Sequence, residues 1–117
     1  MTHPTTVPVT QLPDTLRSYL AAHAVRDVDR ALAAFSDTAE VVDDGSTYRG
    51  LEGIRTFLST AGAEFTYTTE LVGVERVDDA VWVVHNRIEG DFPGGVADLA
   101  YRFQLSGDVI TRLRITA

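Results

Sequence analysis

The chain has 117 residues and a formal charge of −7, with 44% hydrophobic and 23% charged residues. That is about one domain in length and near the globular average in composition, enough to build a core without covalent staples. No cysteine is present, which excludes a disulfide framework, thiol catalysis and cysteine-based metal sites, and the ten basic residues are all arginines spread along an acidic chain, which argues against nucleic acid as a partner.

Residues 1–10 hold His3, two prolines and no apolar run. They read as a flexible tail ahead of a domain spanning 11–117, not as a signal peptide. No segment approaches the roughly 18 apolar residues of a membrane helix, so the expectation is a cytoplasmic protein with no membrane partner. Helical spacing then begins at Pro13 and Asp14, a proline and an acid in the first turn. Leu16, Tyr19, Leu20 and His23 recur three and four residues apart on one face. Asp27 suits the N-cap of a second, short helix with Val28, Ala31, Leu32 and Phe35 inward. Residues 39–43 read as a short strand, stopped by Asp44-Gly45-Ser46. Tyr48-Arg49-Gly50 leads into a third helix predicted over about 51–61, with Ile54, Phe57 and Leu58 apolar and Gly62 as C-cap.

The period then changes to two. Residues 65–77, 80–89, 97–105 and 109–115 are strand-length and rich in valine, threonine and aromatics. The breaks at Asp78-Asp79, at Asp91-Phe92-Pro93-Gly94-Gly95 and at Ser106-Gly107-Asp108 are short enough for hairpins, which predicts an antiparallel meander. Helices followed by strands give an α+β fold with the helices on one sheet face. Val81-Trp82-Val83-Val84 is apolar on both faces, where a half-solvated strand would alternate. A second copy of the chain covering the outer sheet face is the simplest reading, hence an expected homodimer.

The order of short helices, Phe35, residues 39–43 (Ala-Glu-Val-Val-Asp) and then Tyr48-Arg49-Gly50-Leu51-Glu52-Gly53-Ile54 resembles the nuclear transport factor 2-like superfamily over about residues 12–117. It is most similar to the SnoaL-like and ketosteroid isomerase branches. The resemblance implies a cone: about three N-terminal helices packed on a curved antiparallel sheet, around a pocket for an apolar or cyclic small molecule. It also implies roles. Tyr19 falls where ketosteroid isomerases place an oxyanion-hole tyrosine, and Asp43 where they place the general-base aspartate. Such a base can lift a proton alpha to a carbonyl only if preorganised donors hold the resulting oxyanion. The third position of that pattern, a protonated aspartic acid, is Leu99 here; Asp98 sits one residue away, on the opposite strand face.

The remaining candidates are argued from position. In strand 80–89, the resemblance implies a register with His85 and Arg87 in the cavity and Trp82, Val84 and Asn86 outside; the residues alone leave the opposite register open. His85 is then a second proton carrier or ligand anchor. His23 lines the pocket mouth or caps its helix. Tyr48, Phe57, Leu58, Leu99, Tyr101 and Phe103 line the cavity or form ordinary core, which composition does not separate. No pair of histidines has metal-ligand spacing, so no metal is expected, and the enzyme type that the resemblance implies works without an organic cofactor. The function implied is an isomerase, cyclase or dehydratase acting on a cyclic or polyketide-like ketone. The alternatives are a non-catalytic ligand-binding or dimerisation module, and epoxide hydrolysis through Asp43, Arg87 and Asp98.

Overall fold

The computed structural model describes residues 5–60 and 65–117; the expected C-cap at Gly62, the end of the third helix at residue 61 and His3 lie outside them. In chain order the elements are β1 (Thr5–Val7), a single 3-10 turn (Val9–Gln11), α1 (Asp14–Ala24), α2 (Val28–Leu32), β2 (Phe35–Asp43), β3 (Ser46–Arg49), α3 (Gly50–Thr60), β4 (Tyr67–Arg76), β5 (Val81–Gly90), β6 (Val96–Ser106) and β7 (Val109–Thr116). The strands form one sheet in the order β1-β4-β5-β6-β7-β2-β3. The three helices pack on one face of it, the α+β arrangement that the helix-then-strand order implies and the cone that the family resemblance implies.

Four local features depart from the sequence reading. Thr5–Val7, in the segment read as a tail, pairs with Val74, Glu75 and Arg76 at the sheet edge. The second helix stops at Leu32, and Phe35 opens β2: the Ala34 carbonyl accepts from the Ile110 amide (2.8 Å), which pulls the chain into the sheet there. Residues 46–49 are a strand and not a lead-in, because Asp44 (φ 49°) and Gly45 (φ 83°) form a two-residue hairpin turn that sets Asp43 opposite Ser46. Two successive positive φ values give the primed turn whose twist matches that of the flanking strands. Finally, β2 runs parallel to β7, so the sheet is mostly rather than wholly antiparallel.

The core lies between helices and sheet. Leu16, Tyr19 and Ala22 of α1 and Ile54, Phe57 and Leu58 of α3 are buried against Val41, Val84, Phe103 and Leu113. Tyr19 is fully buried and meets Phe35 (5.3 Å, 88°) and Phe103 (5.7 Å, 73°) edge to face. Each such contact contributes about 0.5–1.5 kcal/mol beyond the area buried. Asp27 caps α2, its carboxylate accepting from the Arg30 amide at 3.2 Å.

Parity on β5 is the opposite of the expected one. Trp82, Val84 and Asn86 point to the helices and are buried, while Val81, Val83, His85 and Arg87 face outward. The cause is the register with β4 and β6: Val84 sits between Val74 and Tyr101, and Trp82 beside Phe103, all core residues. On the outer face His85 bonds Glu75, and Arg87 bonds Asp98 at 3.2 Å. The same face brings together arginines that are distant in sequence: Arg102 stands opposite Arg114, and Arg112 opposite Gln104, with Glu40 3.6 Å from Arg112 and 3.1 Å from Arg49.

Candidate functional site

Between α1, α3 and the inner sheet face lies a cleft of about 410 Å³, within the usual range for small-molecule sites. It is lined by Asp43 and Asp44 from the β2–β3 hairpin, His23 from α1, Phe57 from α3, Tyr67 from β4, Ile88 from β5, Ala97, Leu99 and Tyr101 from β6, and Ile115 from β7, with Phe65, Phe92 and Pro93 at the loops. Strand parity explains the membership. Ile88, Ala97, Leu99 and Tyr101 occupy inward positions of paired strands, with Ile88 opposite Ala97, and Leu99 opposite Asn86, an inward residue that lines the adjoining hollow. A second hollow of about 230 Å³ shares His23 and Tyr101 with the first and continues past Leu20, Leu71 and Asn86.

Asp43 is the half-buried carboxylate of this cleft. Burial raises its pKa from 3.8, and the neighbouring Asp44 charge adds to the rise. Asp44 itself is exposed at the hairpin tip. Tyr19 does not line the cleft; it lies beneath, and its hydroxyl has no hydrogen-bond partner among the described residues. Burial holds its pKa well above 10.0, with further upward pushes from Tyr101, Asp43 and Tyr67. Those three are cleft residues, so the phenol end of Tyr19 is within electrostatic reach of the cavity. His23 is stacked between Tyr19 (5.8 Å, 13°) and Phe57 (6.3 Å, 4°). Burial lowers its pKa, with Arg26 adding to the effect, and the imidazole is therefore neutral at pH 7.

The sequence candidates thus divide. Asp43, His23, Phe57, Leu99 and Tyr101 meet in the cleft. Tyr48, Leu58 and Phe103 do not line it: Leu58 and Phe103 are core, and Tyr48 packs on Phe57 at 5.4 Å. His85 and Arg87 are corrected to the outer face, because the β5 register turns them away from the helices, and Trp82 is a core residue rather than an outer one. Sequence reasoning missed Tyr67, Ile88, Phe92 and Asn86. Asn86, 4% exposed, was recognisable as a polar residue in step with Trp82 and Val84 once that face was the inner one. Among the described residues no three histidine or acidic side chains gather closely enough to hold a metal ion.

The fold is of the cone-shaped α+β type, with the cleft between its helices and the inner face of its sheet. The profile of the SnoaL-like domain family matches residues 16–115, and the chain belongs to that family. A candidate polyketide cyclase from Sinorhizobium meliloti is 28% identical, with a TM-score of 0.85 over 94% of this chain and 100% of that one. A Catenulispora acidiphila protein of ketosteroid isomerase-like fold, solved with trimethylamine, shares 17% identity and a TM-score of 0.79 over 92% of this chain and 87% of that one. A Mycobacterium tuberculosis protein solved with estradiol-17β-hemisuccinate shares 17% identity and a TM-score of 0.72 over 88% and 90%. The sequence matches no curated protein. Among the described residues, no helix is long and apolar enough to cross a membrane.

Proposed function

We propose that this protein binds an apolar or cyclic carbonyl compound in the cleft and removes a proton alpha to its carbonyl. Asp43 is the base and the Tyr19 hydroxyl the donor to the developing oxyanion. The observation that carries the reading is the pairing of a half-buried carboxylate of raised pKa with a buried phenol that lacks a partner. A raised carboxylate pKa brings the base nearer that of its task, and a donor fixed in a low-dielectric setting stabilises charge without reorganising. The proton passes from the substrate carbon to Asp43 and returns to the same or a neighbouring position, so isomerisation, cyclisation and dehydration share this first step. No cofactor enters the scheme. With Leu99 at the third position and His85 on the outer face, His23, Asp44, Tyr67 and Tyr101 of the cleft and Thr69 and Asn86 of the adjoining hollow are polar side chains placed to orient a ligand.

The fold relatives solved with a steroid derivative and with trimethylamine support small-molecule binding as the common use of this scaffold. Residues 11–117, with the β1 strand added at the sheet edge, act as one domain in this reading, located in the cytoplasm and paired as a homodimer through the outer sheet face. The half-buried Val81 and Val83 at the centre of that face, flanked by Glu75 on β4 and by Arg102 on β6, with Arg112 and Arg114 beyond on β7, support the pairing. Sedimentation at micromolar concentration checks it, and a monodisperse monomer contradicts it. A second reading, ligand binding without turnover, is favoured by Leu99 at the third position. Amide NMR of the chain titrated with β-tetralone and 2-naphthol tests the site common to both readings. Shifts are expected at Tyr67, Ile88, Leu99 and Tyr101, and shifts confined to the outer face reject it.

A further inference from the structure

A neutral ketone leaves part of the cleft's composition unexplained. Its wall holds five aromatic rings (Phe57, Phe65, Tyr67, Phe92 and Tyr101) together with the carboxylates of Asp43 and Asp44. No arginine lines it among the described residues, although the chain has ten basic side chains. Neither carboxylate has an ion-pair partner among the described residues. His23, the remaining ionisable side chain of the wall besides the tyrosines, is kept neutral by burial. Ring faces are the negative pole of the aromatic quadrupole, and adjacent unpaired carboxylates repel until a cation joins them. Tyr67 already receives a cation of the chain, with Arg26 5.5 Å from its ring centroid. Phe65 and Phe92 (6.1 Å, 68°) form a ring corner beside it, at the mouth.

We propose that the ligand of this cleft carries an organic ammonium group. The ammonium sits against Asp44 and the Phe65–Phe92 corner. The apolar body runs past Tyr101 toward the Asn86 carboxamide, which is buried on the wall of the adjoining hollow and has no hydrogen-bond partner among the described residues. Asp44, exposed at the hairpin tip, takes the charge, and the half-buried Asp43 remains free for the proton. This rests on the reading of the cleft as a small-molecule site and names the chemical class of its ligand.

The test is an amide NMR titration of the full chain with choline and with 3,3-dimethylbutan-1-ol, its neutral isostere, and β-tetralone as reference. The two alcohols share a shape and differ in charge. Choline is expected to bind at least tenfold tighter, with shifts at Asp44, Tyr67 and Phe92. In Asp44→Asn the two are expected to bind within threefold of each other. Asparagine adopts positive φ readily, so the hairpin turn at φ 49° survives that substitution. If β-tetralone shifts the cleft residues but choline and its isostere bind equally, the ammonium proposal is overturned and the pocket reading stands. If choline's shifts cluster at Glu75 and Asp98 on the outer face, the proposal is likewise overturned. If none of the three compounds moves a cleft resonance, both readings fall.

Discussion

Replacing Tyr19 by phenylalanine isolates one oxygen atom. The hydroxyl is fully buried and has no partner among the described residues, while the ring makes edge contacts with Phe35 and Phe103 that phenylalanine retains. A buried polar group left unsatisfied costs about 1–3 kcal/mol, so its removal should stabilise the protein without ligand by about 1 kcal/mol. With an unfolding entropy of about 2.1 cal/mol/K per residue, 117 residues give about 0.25 kcal/mol/K, and Tm should rise by about 4 °C. Differential scanning calorimetry of both proteins measures it. The same change should slow any turnover by about 10²–10³-fold, the cost of one oxyanion donor. A gain in stability coupled to a loss of function marks an atom kept for its chemistry. A fall in Tm of more than about 2 °C would show that the hydroxyl holds the fold together, and the donor role would lose its basis.

Other outcomes follow from the same geometry. Because the folded pKa of Asp43 is raised, its contribution to stability is complete below 3.8 and is lost as pH rises through the folded value. Asp43→Asn should therefore match the parent in Tm at the acid end and exceed it at neutral pH, as thermal melts across pH will show; a constant difference contradicts the shift. His23, with its folded pKa lowered from 6.5, behaves in the opposite sense: its contribution is present above 6.5 and is lost as pH falls through the folded value. Imidazole proton NMR should find it neutral at pH 6.5. Gly90→Ala places a Cβ 2.2 Å from the Thr66 carbonyl oxygen and 2.5 Å from Cβ of Tyr67. It should cost roughly 1–3 kcal/mol or more through the forced backbone shift, measured by urea unfolding. His85→Ala should leave β-tetralone affinity within twofold, since the imidazole bonds Glu75 on the outer face.

Much of this fold was legible in the sequence because its signals are local and periodic. The period in 13–24, the cap at Asp27 and the Asp44-Gly45 turn each act within a few residues. What was not legible depends on partners far along the chain. The parity of β5 is one case: Val81-Trp82-Val83-Val84 offers an apolar residue to either face, and the choice comes from pairing with Val74 and Tyr101. The parallel seam of β2 with β7 is another, since it joins residues about seventy positions apart. The site divided the same way. Asp43 and His23 stand out as ionisable residues at element ends, whereas Tyr67 and Phe92 read as ordinary strand and loop aromatics until the sheet curves them toward Asp43.

Base chemistry at Asp43 is tested most directly by hydrogen–deuterium exchange at the alpha carbons of β-tetralone in D₂O, followed by proton NMR with the parent and with Asp43→Asn. General-base catalysis contributes about 10²–10⁴-fold, so the parent should accelerate exchange and Asp43→Asn should lose at least about 10²-fold of that rate. Equal exchange rates in the two proteins would contradict Asp43 as the base. No acceleration by the parent would leave the cleft a binding site alone.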